Sequence, residues 1–244
     1  MLRASADAAK EANVGLAVDA NQGWPVSVIE PTVPWGYERA LRFARACAEV
    51  GVLWLEEPLP MHDYHGYARL RQEGKVPLAA GELIDGWHHA RNYLEHGSLD
   101  MLQVDCAFSG VSASRGVLEE CQRRGVVYQP HAWTNGFGLY LNAHMLACLQ
   151  HKQARAMLEY PIDPPSWTEE ARDALVANPL RAANGKVRLP DTPGIGAKLD
   201  ERALERHGTK FFDATPGSVA RQVIREKGFF AALRLARRKK AAAR

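Results

Sequence analysis

An α/β fold whose parallel strands close into a barrel is predicted from two observations on the sequence. Short apolar segments rich in Val and Leu alternate with longer helical segments, and repeated strand–helix units give parallel strands with right-handed crossovers. Polar residues also recur at the ends of six successive strand segments. An open doubly wound sheet gathers its ligand contacts at one switch point, so polar residues at many strand ends favour the barrel.

Six segments are predicted to be buried strands because each is short and apolar. A length of 244 residues with 46% hydrophobic content is enough for a large core. The strand segments are residues 14–21, 52–58, 76–82, 99–105, 126–131 and 154–160.

Helices are predicted between these strands, and local signals mark several of their ends. Gly51, Gly97 and Gly125 follow three of the helices, as C-terminal caps do, and Asp63 stands where an N-cap is expected. The helical segments are residues 35–50, 63–73, 85–96, 112–124 and about 139–152.

Composition and charge exclude several classes of protein. The chain has a net charge of +3, but residues 221–244 hold nine Lys or Arg and only Glu226 against them, which leaves −5 for residues 1–220. A mildly acidic body gives no sign of a nucleic-acid surface. No apolar run reaches the roughly 18 residues of a membrane span. Four widely spaced Cys residues fit the reduced thiols of a cytoplasmic protein.

The polar residues at the strand ends predict a metal site. Asp19, Glu56 and Glu82 end three consecutive strand segments, and three converging carboxylates cannot all stay ionised without a cation. Carboxylate oxygens with positions left for water and substrate suit Mg²⁺. For any one of these acids, capping of the following helix is the alternative. Only one His and no Cys belong to the series, so a structural zinc site is not predicted.

The next strand ends predict acid–base chemistry. Asp105 and His131 end adjacent strand segments, and a buried carboxylate that orients an imidazole makes it a better general base. Glu159 follows on the last strand segment and, if protonated, donates a hydrogen bond to a developing oxyanion. Glu57, next to Glu56, is expected to point to the opposite face of the strand, toward a cation or a backbone donor.

Six motifs together resemble the enolase superfamily, specifically its mandelate racemase subgroup. The resemblance implies a TIM-type (β/α)7β barrel that is incomplete here, with strands three to eight present and the N-terminal capping domain and first two strands missing. The motifs are V-D-A-N-Q-G (18–23), W-L-E-E-P-L (54–59), A-G-E (80–82), Q-V-D-C-A-F-S-G (103–110), P-H-A-W (130–133) and M-L-E-Y (157–160).

The resemblance assigns roles to particular residues. It implies that Asp19, Glu56 and Glu82 bind Mg²⁺ and that His131 and Asp105 form the catalytic dyad. Three further residues are implied or expected to meet the substrate: Glu159 at its carboxylate, Asn21 two residues beyond Asp19, and Trp133 in the pocket wall, with helix packing as the alternative for Trp133.

The implied reaction is removal of a proton alpha to a carboxylate through an enolate intermediate. No lysine lies between Asp105 and Gly110, which argues against the muconate-cycloisomerase and dipeptide-epimerase branch. The resemblance ranks dehydration of an acid sugar, a lyase reaction, first, because it is the commoner activity among subgroup members with a His and Asp pair. Racemisation or epimerisation of a 2-hydroxy acid is one alternative, and a catalytically crippled fragment or non-catalytic barrel is another.

Three regions are predicted along the chain. Residues 1–161 form the partial barrel, residues 162–207 a segment that would pack on the missing capping domain, and residues 208–244 a basic helical tail. The expected partners are a small carboxylate substrate and, in a full-length form, further copies of the chain. The tail is expected to be either a solvated helix or an amphipathic helix for an anionic surface.

Overall fold

Parallel strands and helices alternate along the chain as the sequence predicts. The computed structural model describes residues 1–25, 33–149, 156–211 and 214–234 and contains two compact units, Met1–Asp200 and Glu201–Arg244. The elements of the first unit are α1 (Leu2–Glu11), β1 (Val18–Asp19), α2 (Tyr37–Glu49), β2 (Leu55–Glu56), α3 (Tyr64–Glu73), β3 (Leu78–Ala80), α4 (Trp87–His96), β4 (Met101–Leu102), α5 (Cys106–Ser109), α6 (Val111–Arg124), β5 (Val127–Tyr128), α7 (Gly136–Ala147), α8 (Glu169–Asp173), β6 (Ala182–Ala183) and β7 (Lys186–Val187).

The main sheet has five strands in the order β1-β2-β3-β4-β5, and every neighbouring pair is parallel. Sequential strands are therefore neighbours, with a helical connection between each pair. The register pairs Asp19 with Glu56 directly across β1 and β2. Because parallel strands end at the same edge of a sheet, the residues that follow all five strands lie at one edge.

The core lies between the strands and their connecting helices. Leu55, Leu78 and Leu102 on the strands are fully buried, and so is Leu70 on α3. Burial of a Leu side chain stabilises a fold by roughly 1.5–3 kcal/mol. On α2 the buried residues recur at helical spacing, so one face of this helix packs on the sheet.

Local signals correctly predicted the helix ends. Asp63 caps α3, because its side chain accepts a hydrogen bond of 2.9 Å from the backbone N–H of Gly66. Gly97 and Gly125 end α4 and α6 with φ values of +62° and +72°, the left-handed conformation that terminates helices most easily at glycine.

The sixth predicted strand, residues 154–160, is wrong in its described part. Residues 156–160 form no strand, and residues 154 and 155 lie outside the described residues. The described sheet thus has five strands rather than six. Pro130, which follows β5, and Pro161, which ends the segment, have no backbone N–H to donate to a ladder. The helix predicted from 139 starts earlier, at Gly136, because Asn135 caps it.

A group of buried charges joins the segment after residue 161 to the rest of the first unit. Arg172 is fully buried and donates two hydrogen bonds to Asp173, of 2.8 and 2.9 Å. It also donates to the hydroxyl of Tyr160 at 3.0 Å and to the carbonyl of Pro161 at 3.3 Å. We call the set the arginine cluster; its members are Tyr160, Glu169, Arg172, Asp173 and Arg181.

The second unit contains α9 (Glu201–His207) and α10 (Pro216–Lys227). Thr215 caps α10 by accepting a hydrogen bond of 3.1 Å from the backbone N–H of Ser218. Phe229 and Phe230 are exposed just beyond this helix. In the part of the chain that the structure describes, no helix has both the length and the apolar character needed to cross a membrane.

Candidate active site

Three carboxylates gather where the first three strands of the sheet end. Asp19 and Glu56 are the last residues of β1 and β2, and Glu82 stands two residues beyond β3. Burial, followed by the charge of Asp19, raises the pKa of Glu56 to about 7. Burial also raises the pKa of Asp19 to about 6, and the charge of Glu82 adds to this rise. The three acids are therefore close enough to oppose each other's ionisation.

Neutral groups supply the hydrogen bonds that these three acids receive. Among the described residues, no Lys or Arg side chain forms an ion pair with them. The donors include Asn21 to Asp19 (backbone N–H, 2.8 Å), Gln103 and Trp54 to Glu56 (Nε2, 2.7 Å; Nε1, 3.4 Å) and Trp24 to Glu82 (Nε1, 3.2 Å). Among the described residues, His131 is the basic side chain that forms an ion pair with the group.

His131 and Asp105 form the predicted pair. The Nδ1 atom of His131 is 3.0 Å from Oδ2 of Asp105, and its Nε2 atom is 3.5 Å from Oε2 of Glu82. Burial lowers the pKa of His131, but the hydrogen bond with Asp105 and the surrounding negative charges outweigh burial, and the pKa rises to about 9. The imidazole thus links the dyad to the three carboxylates.

Asp105 is fully buried and held by three partners. Its Oδ1 atom accepts hydrogen bonds from the backbone N–H of Ala107 at 2.7 Å and from Nδ2 of Asn142 at 2.8 Å, while Oδ2 faces His131. A carboxylate fixed in this way orients the imidazole and determines which ring nitrogen carries the proton. Nε2 is then the ring atom directed toward the acids.

Glu159 lies beside His131, as predicted. Its Oε2 atom accepts a hydrogen bond of 2.6 Å from the backbone N–H of Ala132, and the side chain of Trp133 also donates to it. Burial raises the pKa of Glu159, against the charge of His131, which lowers it. Trp133 is 45% exposed, and its ring lies 6.4 Å from that of Trp167.

The side chain of Asn21 lies against the carboxylate of Asp19. Its φ is +49°, and both its backbone N–H and its Nδ2 group donate to the carboxylate of Asp19. The side chain is exposed. Contact with a substrate at this position stays a prediction.

Glu57 does not behave as the strand pattern predicts. It lies beyond β2 with a φ of +41°, so the alternation of side chains along a strand does not extend to it. Its side chain is 1% exposed, and burial, followed by the charges of Glu82 and Asp19, raises its pKa to about 8. The expected donor is absent for Oε2, which is buried with no hydrogen-bond partner among the described residues.

Comparison with known proteins identifies the family. The sequence profile of the family described as "Enolase C-terminal domain-like" matches residues 1–203. The chain belongs to this enolase C-terminal domain-like family. The match confirms the resemblance to the enolase superfamily that the strand-end motifs indicated, and it extends beyond the last of those motifs.

Individual relatives of this family align with most of the chain. A D-galactarolactone cycloisomerase of Agrobacterium fabrum is 30% identical over 191 residues, which are 78% of this chain and 48% of the relative. An L-talarate/galactarate dehydratase of Salmonella typhimurium is 26% identical over 191 residues, which are 77% of this chain and 41% of the relative. The chain spans somewhat less than half the length of these two curated relatives.

A solved structure of the enolase type supports the predicted fold. A racemase of Streptomyces coelicolor, crystallised with bound magnesium, is 26% identical and matches with a TM-score of 0.65 over 84% of this chain and 52% of that one. The likeness confirms a TIM-barrel-type α/β fold of which this chain holds a part.

The strand-end acids of this enolase-type chain fit a magnesium ion by their chemistry. The set offers carboxylate oxygens, which Mg²⁺ prefers, and its negative charge has no Lys or Arg partner among the described residues. No three His, Cys, Asp or Glu side chains of the described residues are arranged to enclose an ion by themselves. Mg²⁺ commonly keeps several waters and binds through few carboxylates, so a site completed by water and substrate is consistent with this arrangement.

Two residues at this enolase-type site escaped the sequence analysis. Gln103 is buried and bonds Glu56, and Asn142 is fully buried in α7 and bonds both Asp105 and the backbone N–H of Cys106. A signal existed for Gln103, because a Gln in an apolar strand segment, two residues before Asp105, shares its face. For Asn142 the only signal was a polar residue in a largely apolar helix.

Proposed function

We propose that this chain carries the proton-abstraction site of a Mg²⁺-dependent enzyme that dehydrates an acid sugar. The observation that carries the proposal is the position of His131, between a buried carboxylate that orients it and a group of acids with no Lys or Arg partner among the described residues. Cycloisomerases and dehydratases of sugar-derived acids among the relatives support the same reaction class.

Asp19, Glu56 and Glu82 are proposed to hold the metal. When bound, Mg²⁺ would supply positive charge that stabilises the carboxylate substrate as negative charge develops on it. Gln103 orients the carboxylate of Glu56 by donating to one of its oxygens.

His131 is proposed to move the proton. Asp105 accepts from Nδ1–H, so the lone pair of neutral His131 lies on Nε2, which takes the proton from the carbon alpha to the substrate carboxylate. An enolate results. The protonated Nε2 then delivers a proton to the departing beta hydroxyl, so that one side chain performs both steps of a syn elimination. Glu159, held by the N–H of Ala132, is proposed to hydrogen-bond the substrate carboxylate.

The racemase alternative requires a second base on the opposite face of the substrate. Among the described residues, His131 is the imidazole that contacts the strand-end acids, and no Lys forms an ion pair with them. A syn elimination needs only one base, so dehydration is proposed first and racemisation is kept as the alternative.

Product analysis tests the proposal. The purified chain is incubated with Mg²⁺ and a panel of aldonic and aldaric acids, and formation of 2-keto-3-deoxy acids is followed together with deuterium incorporation from D₂O. We expect product from at least one acid sugar with the unaltered chain and none with His131→Asn. Inversion of a stereocentre without keto acid would establish the racemase instead, and no exchange with any acid would refute catalysis by this chain.

A further inference from the structure

Glu57 is a buried carboxylate that the proposed reaction does not use. Its side chain is 1% exposed, and its Oε2 atom has no hydrogen-bond partner among the described residues. A buried carboxyl oxygen that lacks a hydrogen-bond partner is unfavourable. A bound group that is not among the described protein atoms would supply the missing partner.

The surroundings of Glu57 are acidic. The charges of Glu82, Asp19 and Glu56 all act on it and oppose its ionisation. The charge of His131 favours the ionised form of Glu57, but that imidazole is already engaged by Asp105. The chain thus brings a fourth acid to the other three, and no Lys or Arg of the described residues forms an ion pair with it.

The backbone holds Glu57 at this position. The N–H of Glu57 donates to the carbonyl of Ala79 at 3.0 Å, and the N–H of Gln22 donates to the carbonyl of Glu57 at 2.8 Å. The φ of +41° is one that non-glycine residues seldom adopt. Strained backbone of this kind persists where the surrounding structure imposes it.

Gly23 provides the space that the carboxylate occupies. A Cβ atom at position 23 would lie 2.3 Å from the carboxylate carbon of Glu57 and 2.3 Å from Oε2. Real Cβ atoms do not approach other atoms so closely, so any other residue at position 23 would displace the Glu57 side chain. The Glu57 side chain, just after β2, can therefore keep its position only if residue 23, in the loop after β1, is glycine.

We propose that Glu57 is a fourth carboxylate of the cation site, which strengthens Mg²⁺ binding through its charge, and that Gly23 keeps it in place. The inference rests on the proposed function, because it concerns the same ion. It goes further by adding a residue that the strand pattern directed away from the site. A cation resolves both the missing partner of Oε2 and the crowding of four acids.

Calorimetric titration with Mg²⁺ alone tests the role of Glu57. Glu57→Gln keeps the shape of the side chain and removes its charge, and we expect it to weaken Mg²⁺ binding 10- to 100-fold, the usual range for residues that support metal ligands. The matched control is Glu11→Gln, an exposed residue in α1, which changes net charge equally and should leave the dissociation constant unchanged.

A second variant tests the position of the carboxylate without changing its charge. Gly23→Ala should also weaken Mg²⁺ binding, and Gly23→Ala combined with Glu57→Gln should be no worse than Glu57→Gln alone, because both act through one side chain. Gly116→Ala is the control, since a Cβ at position 116 meets nothing within 4 Å.

Thermal unfolding separates a cation-site role from a structural one. Without metal, Glu57→Gln should melt at or above the temperature of the unaltered chain, because a neutral amide replaces an acid whose ionisation the neighbouring acids oppose. The gain in melting temperature on adding Mg²⁺ should shrink in this variant. A Glu57→Gln variant that binds Mg²⁺ like Glu11→Gln would overturn this inference alone. An unaltered chain with no saturable Mg²⁺ binding would overturn the metal site of the proposed function, and this inference with it.

Discussion

Two groups of buried charge in the first unit are built in opposite ways. In the arginine cluster, Arg172 gives two hydrogen bonds to Asp173 and further ones to Tyr160 and Pro161. In the strand-end acids, the carboxylates receive bonds from neutral groups and an ion pair from His131. One oxygen of Glu57, the fourth acid at this edge, receives no hydrogen bond from the described residues.

The difference teaches how to distinguish a structural charge cluster from a functional one. Protein groups alone neutralise and satisfy the arginine cluster, so it needs nothing else in order to hold the chain together. The strand-end acids are balanced only when a cation or substrate is added. Perturbed carboxylates at one edge of a sheet without Lys or Arg partners are typical of a site that binds something.

The largest effect is expected when the arginine cluster is broken. Arg172→Met would remove two hydrogen bonds from Asp173, which keeps Arg181 as a basic partner, so the loss should approach the value of about 3–5 kcal/mol that breaking a buried pair costs. Urea denaturation of the variant measures the loss in the free energy of unfolding. Arg3→Met is the control, because Arg3 and Glu49 form an exposed pair at 3.4 Å. Equal losses in the two variants would contradict the structural role given to the cluster.

Adding Mg²⁺ should stabilise the fold by binding to the strand-end acids. A ligand that binds only the folded state contributes about 2.7 kcal/mol at 100 times its dissociation constant, and EDTA should reverse the gain. Denaturation with and without Mg²⁺ measures it. Asp19→Asn should reduce the gain, whereas the gain should survive in Arg3→Met. If the gain is the same in Asp19→Asn as in the unaltered chain, the ion binds elsewhere.

A smaller effect is expected when Asn142, the uncharged residue that holds Asp105 of the dyad, is replaced. Asn142→Ala removes two buried hydrogen bonds and leaves the N–H of Cys106 and one oxygen of Asp105 with one partner fewer. A buried polar group that loses its partner costs about 1–3 kcal/mol. Denaturation should show a loss in this range, and the dehydration rate should fall more steeply than stability at temperatures where the variant is folded. An unchanged rate would remove Asn142 from the support of His131.

The smallest effect is expected for a partly exposed group of charges on the helix surface, in which Glu120 pairs with two arginines. Hydrogen bonds from Arg123 and Arg124 lower the pKa of Glu120 from 4.5 to about 2. A lowered folded-state pKa stabilises the fold above about pH 4.5, and the contribution disappears as pH falls toward 2. Denaturation of Glu120→Gln should show little change at pH 7, and the difference from the unaltered chain should vanish on acidification. If Glu120→Gln lowered the free energy of unfolding as much as Arg172→Met does, the comparison between buried and surface charges would be contradicted.

Local signals explain what could be predicted from the sequence. Asp63 and Gly97 mark helix ends by their own backbone and side-chain chemistry, so no distant residue is needed to recognise them. The order of polar residues at strand ends likewise follows from parallel strands, and Asp105 and His131 meet as that order requires.

Contacts between distant segments explain what could not be predicted. The position of Glu57 depends on a positive φ and on Gly23, which is 34 residues earlier. Arg172 meets Tyr160 across an irregular segment that carries no periodic pattern. The sixth strand was predicted from an apolar run, but strand formation also needs a neighbour with free backbone groups, and that is not visible in the run itself.

The conformation of Glu57 also bears on protein engineering. Its backbone adopts a left-handed φ and its side chain buries an oxygen that has no hydrogen-bond partner among the described residues, so both features reduce the stability of the metal-free fold. In a library screened only for heat tolerance without Mg²⁺, replacements at position 57, Gly above all, should be among the first enriched. Such a screen would raise the stability of the metal-free fold and at the same time remove a residue of the proposed cation site. Selection in the presence of Mg²⁺ would be needed to retain that residue.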